Sequence, residues 1–141
     1  MHDPFLEGNE LIETAIGHFH EDQSIEVLTE ILEAIRERMH HDGHFILPVE
    51  DECGETGRYA CRTIKTGGKV WDIAFTSEEE YEKGEESRIE SCFIDSSLKG
   101  CKEDKADGLL INPWGRYFIV TNEMIDNIFE KDAGREYSFL Q

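Results

Sequence analysis

The sequence predicts an α+β protein, a mostly antiparallel sheet packed by helices and preceded by an N-terminal helical segment. Three observations predict it. Apolar residues before Gly43 recur at helical spacing, and those after His44 fall into short runs and alternations. Two turn signals, Gly67-Gly68 and Asn112-Pro113-Trp114-Gly115, separate pairs of those runs. A chain of 141 residues fits one domain with a modest core. The expected organisation is an acidic helical segment over 1–43, an α+β domain over 44–131 and a loosely held tail over 132–141.

In the first segment, Leu11, Ile12, Ala15, Ile16 and Phe19 predict a short helix that breaks near 20–23. Ser24 or Asp22 is placed to cap the next helix. That second helix is the clearest in the chain. Ile25, Leu28, Leu32, Ile35 and Met39 step three and four residues, and Val27 and Ile31 widen the stripe. Glu26, Glu30, Glu33 and Glu37 take the other side, while Arg36 and Arg38 sit late, where positive charge suits the helix dipole. Gly43 ends it.

Beyond His44 the period is that of strands. Phe45 to Val49 is a short apolar run, and Tyr59 to Lys65 alternates. Gly67-Gly68 supplies a tight turn with positive φ available at both central positions, and Val70, Trp71, Ile73, Ala74 and Phe75 return as a buried strand. Ser77 with Glu80, or Thr76 with Glu79, has capping-box spacing and opens a helix that Gly84 closes. A further helical stretch is expected over Ser87 to Leu98, then a charged loop from Lys99 to Asp107. A last helix from Asn122 carries Ile125, Ile128 and Phe129 on one face.

The corner in Gly108–Val120 has residues suited to a type I turn. Asn112 bonds back to the chain, Pro113 pre-sets φ, and Gly115 in the left-handed region opens a bulge before a strand from Arg116 to Val120. Backbone chemistry does not explain Trp114. The expectation is an indole folded back over a neighbouring element, with a ligand platform as the alternative.

Charge limits the partners. Lys plus Arg is 14 against 32 acidic residues, a net −18. Residues 1–43 hold eleven acids against two bases. Nucleic acid would be repelled for lack of cations to neutralise phosphate, and anionic membranes are disfavoured for the same reason. Basic proteins, cations or neutral small molecules remain.

The four cysteines form no Cys-x-x-Cys pair, and no N-terminal signal peptide is recognised, so four free thiols in a reducing cytoplasm are expected. No apolar run approaches the roughly 20 residues of a membrane helix. His40, His41 and His44 with Asp42 match no metalloenzyme spacing and read as a solvated helix terminus. The runs Glu50-Asp51-Glu52 with Glu55, and Glu78 to Glu80, lack a calcium-loop pattern and read as surface charge. No activated nucleophile signature is present. No catalytic residue, cofactor or metal is therefore assigned, and enzyme status is unsupported.

Three stretches together resemble the N-terminal domain of the SseB family. They are Phe45-Ile46-Leu47-Pro48, then Ala74-Phe75-Thr76-Ser77-Glu78-Glu79, then Gly108 to Gly115 with its Asn112-Pro113-Trp114-Gly115 corner. That family shows an apolar strand ending in Pro, a strand running into a helix start, and an Asn-Pro-x-Gly hairpin before a final helix. The resemblance spans about 44–131. It implies an α+β domain with a mostly antiparallel sheet packed by helices, and little about activity, since no catalytic residues are established for the family. Domains of this sort also resemble those of small bacterial proteins with suspected interaction or immunity roles. The acidic segment that precedes the domain departs from the family pattern, as does the lack of the family's second domain.

Three functions are expected. The first is a non-catalytic, acidic protein-binding module, its stripe of Ile25, Leu28, Leu32 and Ile35 either docked on its own sheet or pairing two copies. The second is an antitoxin-like inhibitor of a basic nuclease. The third is a small-ligand sensor or enzyme whose pocket is lined by Asn112, Trp114, Trp71 and Tyr59.

Overall fold

A computed structural model of the chain describes residues 4–50 and 61–138, with side chains to residue 130. After a 3-10 turn at Pro4–Leu6 come helices α1 (Glu10–Glu21) and α2 (Ile25–His40) and strand β1 (His44–Val49). The hairpin β2 (Thr63–Thr66) and β3 (Lys69–Ala74) leads to α3 (Glu78–Glu82), β4 (Arg88–Phe93) and α4 (Ile94–Glu103). Strands β5 (Gly108–Ile111) and β6 (Phe118–Thr121) precede α5 (Asn122–Ser138). The fold is α+β. None of the described helices is long and apolar enough to cross a membrane.

The sheet runs β2-β3-β5-β6, antiparallel except for the β3–β5 pair, and β1 pairs antiparallel with β4 in a second, two-stranded sheet. The two are joined where Ile46 and Phe75 exchange backbone hydrogen bonds of 2.9 and 2.8 Å. Alternation along each strand divides the side chains between two faces. Phe45, Ala74, Leu109, Ile111, Phe118 and Val120 meet the helices. Ile46, Ile73 and Phe75 form a smaller cluster on the opposite face with Leu6 and Tyr81.

The acidic segment is woven into that core. Ile12, Ala15 and Ile16 of α1 and Ile31, Leu32, Ala34 and Ile35 of α2 share one cluster with the sheet and with Leu98, Ile125 and Ile128. Ser24 caps α2 by accepting from the Val27 N–H at 3.2 Å. The expected stripe faces that core along most of its length. Ile31, Leu32 and Ile35 are buried and Leu28 and Met39 pack against the cluster, but Ile25 is 79 % exposed, and Arg36 is 1 % exposed with its guanidinium bonded to Glu33. At the end of α2 the left-handed residue is Asp42 (φ 56°) rather than Gly43. Gly43 is needed for close approach, since a Cβ there would stand 2.9 Å from the Arg38 carbonyl oxygen.

Two further expectations are corrected. Ser87 to Phe93 does not continue as helix: Arg88–Phe93 is the edge strand β4, and the helix begins at Ile94. The loop expected from Lys99 is helical through Glu103, because Leu98 and Cys101 anchor another turn against the sheet. The last helix runs from Asn122 to Ser138. The Gly67-Gly68 turn has positive φ at both residues, 59° and 78°, as its sequence requires. Cys53, Tyr59 and the acidic run from Asp51 lie outside the described residues.

Candidate functional site

The Asn112-Pro113-Trp114-Gly115 corner is a clamp on the sheet's second face. Its left-handed residue is Asn112 (φ 54°), not Gly115, and the Gly115 N–H donates to the Asn112 carbonyl at 3.2 Å. Asn is among the few side chains that tolerate that region, because its short polar group bonds locally. Here the Asn112 backbone N–H reaches the Ala74 carbonyl at 2.9 Å, extending the β3–β5 ladder by one residue. Its side chain accepts from the Thr76 N–H at 3.0 Å and donates to Thr76 Oγ1 at 2.9 Å.

Thr76 is fully buried and also binds the N-terminal segment. Its hydroxyl donates to Glu13, and its carbonyl accepts from Asn9 Nδ2 at 2.9 Å. Asn9 Nδ2 also donates to the His44 carbonyl at 2.8 Å, and Arg38 Nε donates to Asn9 Oδ1 at 2.9 Å. Buried polar groups this completely satisfied specify one arrangement of the elements they join.

Trp114 folds back over Gly84. A Cβ placed on Gly84 would lie 2.1 Å from the indole Nε1, so only glycine leaves room for the ring. Gly115 sits against the carboxylate end of Glu80 of α3, where a Cβ would stand 2.6 Å from Oε1. Trp114 keeps 39 % exposure at the rim of a depression of about 160 Å³ that includes Ile64, Ile73 and Phe75. Asn112 and Trp71 are buried and do not line it. Of the residues expected around a pocket near Trp114, the described ones, Asn112, Trp71 and Trp114, are not brought together in it. His44 also departs from the solvated helix terminus expected of it: it is buried, stacks on Phe5 with centroids 4.4 Å apart, and bonds Ser91 Oγ at 2.8 Å. Among the described residues no three His, Cys, Asp or Glu side chains are grouped to hold a metal ion.

A different place carries the chemical anomaly. Asp72 stands in the interior strand β3, opposite Thr63 of β2 and Leu109 of β5, on the face that the helices cover. It is 3 % exposed, and its Oδ1 has no hydrogen-bond partner among the described residues. An unpaired buried polar atom costs about 1–3 kcal/mol. Asp72 lines a cleft of about 360 Å³ between α4 and strands β1, β3, β4 and β5. Leu47, Val49 and Leu109 give it apolar walls, and Glu90 and Asp104 add carboxylates.

Burial, then a hydrogen bond and repulsion from Asp104, raise the Asp72 carboxyl from 3.8 to about 8; a hydrogen bond from Cys101 opposes the shift. Asp72 is thus mostly protonated at neutral pH. Burial and the Asp72 charge also push the Cys61 thiol up to about 12 and raise Cys101. Burial, then Glu90, raise Cys92. These thiols are held away from the nucleophilic thiolate form. Sequence reasoning missed this site. The available signal was a lone carboxylate interrupting Val70-Trp71-Asp72-Ile73-Ala74, where both neighbours on each side are apolar.

Fold and site define an acidic α+β domain with one buried acid at the base of an open cleft. No known protein family, curated protein or solved structure matches the chain.

Proposed function

We propose that the protein is a non-catalytic, acidic interaction module whose partner is a basic protein. The observation that carries this reading is the net charge of −18 on a fold whose cleft is itself walled by Asp72, Glu90 and Asp104. Such a field accelerates encounter with a cationic surface and opposes nucleic acid and anionic lipid. Thiols at Cys61, Cys92 and Cys101 that stay free fit a reducing, cytoplasmic setting. We extend the SseB-like reading to the chain on the same footing: the Thr76 and Asn112 motifs that carry the resemblance are bonded to each other. An immunity-type inhibitor of a basic toxin is the narrower form of this function.

Leu32 and Ile35 are engaged in the chain's own core, so pairing of two copies through α2 would rest on Ile25 and the half-buried Leu28. A small-ligand sensor is the second reading, favoured by the unpartnered Asp72 oxygen rather than by Trp114. The test is capture from the native lysate at low salt, followed by the association rate of the purified pair across ionic strength. A basic protein whose association slows steeply with salt supports the module. A partner of neutral or acidic charge, or one indifferent to salt, overturns it.

A further inference from the structure

We propose that the cleft between α4 and the sheet binds an organic cation, a primary ammonium or guanidinium group on an aliphatic stem, with Asp72 as its counter-ion. Three independent features converge on that chemistry. The base of the cleft offers a carboxyl oxygen without a partner, on a residue only 3 % exposed, which calls for a donor. The groups that add charge to the walls, Glu90 and Asp104, are both acidic, so an anionic ligand is rejected. Leu47, Val49 and Leu109 give an aliphatic stem its packing surface while the charged head goes to the polar end, as long cationic side chains do elsewhere. A volume of about 360 Å³ suits a single lysine- or arginine-sized group.

The empty and filled states differ in protonation. In the empty cleft burial and Asp104 favour the neutral acid, whose folded value is about 8. A bound cation favours the carboxylate, so binding expels a proton and tightens about tenfold per pH unit until that value is reached. Asp104 at the C-terminal end of α4 and Cys101 within it act on Asp72 directly, and the other titratable groups facing the cleft are Glu90 and Cys92 on β4 and Cys61 beside the β1 end.

The same cation can be a free amine or a side chain of the basic partner proposed above. Only the second source rests on that reading. Butylammonium and butylguanidinium serve as small probes, n-butanol as the neutral control, and the peptide acetyl-Ala-Lys-Ala-amide as the protein-borne cation. Binding to the intact chain is read by methyl NMR shifts at Leu47, Val49 and Leu109 and by calorimetry in two buffers of different ionisation enthalpy.

Two variants separate binding from folding. Asp72→Asn keeps the shape and a donor toward Asp104 but removes the counter-ion. Gly100→Leu fills the cleft without touching Asp72, since a Cβ at Gly100 meets nothing within 4 Å. Both are checked for an unchanged fold by their amide spectra. Cation binding with proton release, absent for n-butanol and weakened at least tenfold in each variant, supports the site. Preference for the small probes assigns a free amine, and preference for the peptide assigns a partner side chain. Lack of any cation binding, or undiminished binding by folded Asp72→Asn, overturns the inference. Capture of a basic partner by Asp72→Asn would then leave the interaction module standing on another surface, whereas cation binding without any basic partner would remove that module and keep the cleft.

Discussion

Asn112 and Thr76 hold each other by two hydrogen bonds, 3.0 Å from the Thr76 N–H to Asn112 Oδ1 and 2.9 Å from Asn112 Nδ2 to Thr76 Oγ1. They lie at the ends of neighbouring parallel strands, β3 and β5, and both are buried. Asn112→Ala removes both bonds and places alanine at φ 54°, so a loss of about 2–4 kcal/mol is expected in urea unfolding. Asn112→Gly keeps the backbone at ease and should lose less. Equal losses for the two would show that conformation at this position contributes nothing.

Trp114 and Gly84 make the corner's other attachment. Gly84→Ala leaves the indole no room over α3's end, and the ring must move outward. Its fluorescence should shift to the red and gain access to acrylamide, while Trp71, buried in β3, stays shielded from the quencher. The stability cost expected is about 1–3 kcal/mol. An emission spectrum identical to the parent's would place the ring elsewhere in solution.

Much of this arrangement was legible in the chain. Capping at Ser24 and Ser77, the Gly67-Gly68 turn and the buried β3 run all arise from local chemistry, and the structure realises each. Strand β4 was hidden because it is an edge strand whose large apolar residues, Ile89 and Phe93, stay exposed; no face-by-face alternation marks it. Burial of Arg36 was not foreseen for a different reason. Helix-dipole reasoning speaks only to the sign of a late charge, while its neighbours Ile35 and Leu32 turn that side of α2 inward toward α5. The cleft was illegible for a third reason: its carboxylates and thiols come from strands and a helix far apart in sequence, and only pairing through β1 brings them together.

Helices α1 and α2, within the first 43 residues, pack on the helix-bearing face of the sheet. Their removal uncovers Phe45, Ala74, Leu109 and Val120, leaves the His44 and Thr76 carbonyls without the Asn9 amide, and leaves the Thr76 hydroxyl without its Glu13 acceptor. The remainder, 44–141, should aggregate or show only broad, poorly dispersed amide resonances. A dispersed spectrum from a monomeric remainder would make the segment an appendage after all.

The protonated thiols give a simple chemical readout. Cys61 and Cys101 both stand well above the ordinary thiol range, so alkylation by iodoacetamide at pH 8 should be slow in the folded protein and rapid in denaturant. Peptide mapping resolves the sites. Fast labelling of Cys61 in the folded state would mean that its thiolate is accessible, and would reopen a nucleophilic role.

Asp72 makes stability depend on pH in the direction opposite to a salt-bridged carboxylate. Its folded value of about 8 lies above the ordinary 3.8, so the folded state binds this proton more tightly than the unfolded chain does. Below about pH 4 both states hold it and its stabilising effect is complete. As pH climbs, the unfolded chain releases the proton first, and stability falls progressively until the folded carboxyl also ionises near pH 8. Asp72→Asn cannot titrate and should abolish this loss. The variant should therefore gain on the parent steadily from pH 4 to 8, and the difference should level off above. Chemical denaturation at unit pH intervals measures it. Parallel curves for the two proteins across that range would mean that Asp72 ionises normally in the fold, and a saturating organic cation that flattens the parent's curve alone would tie the same proton to the cleft.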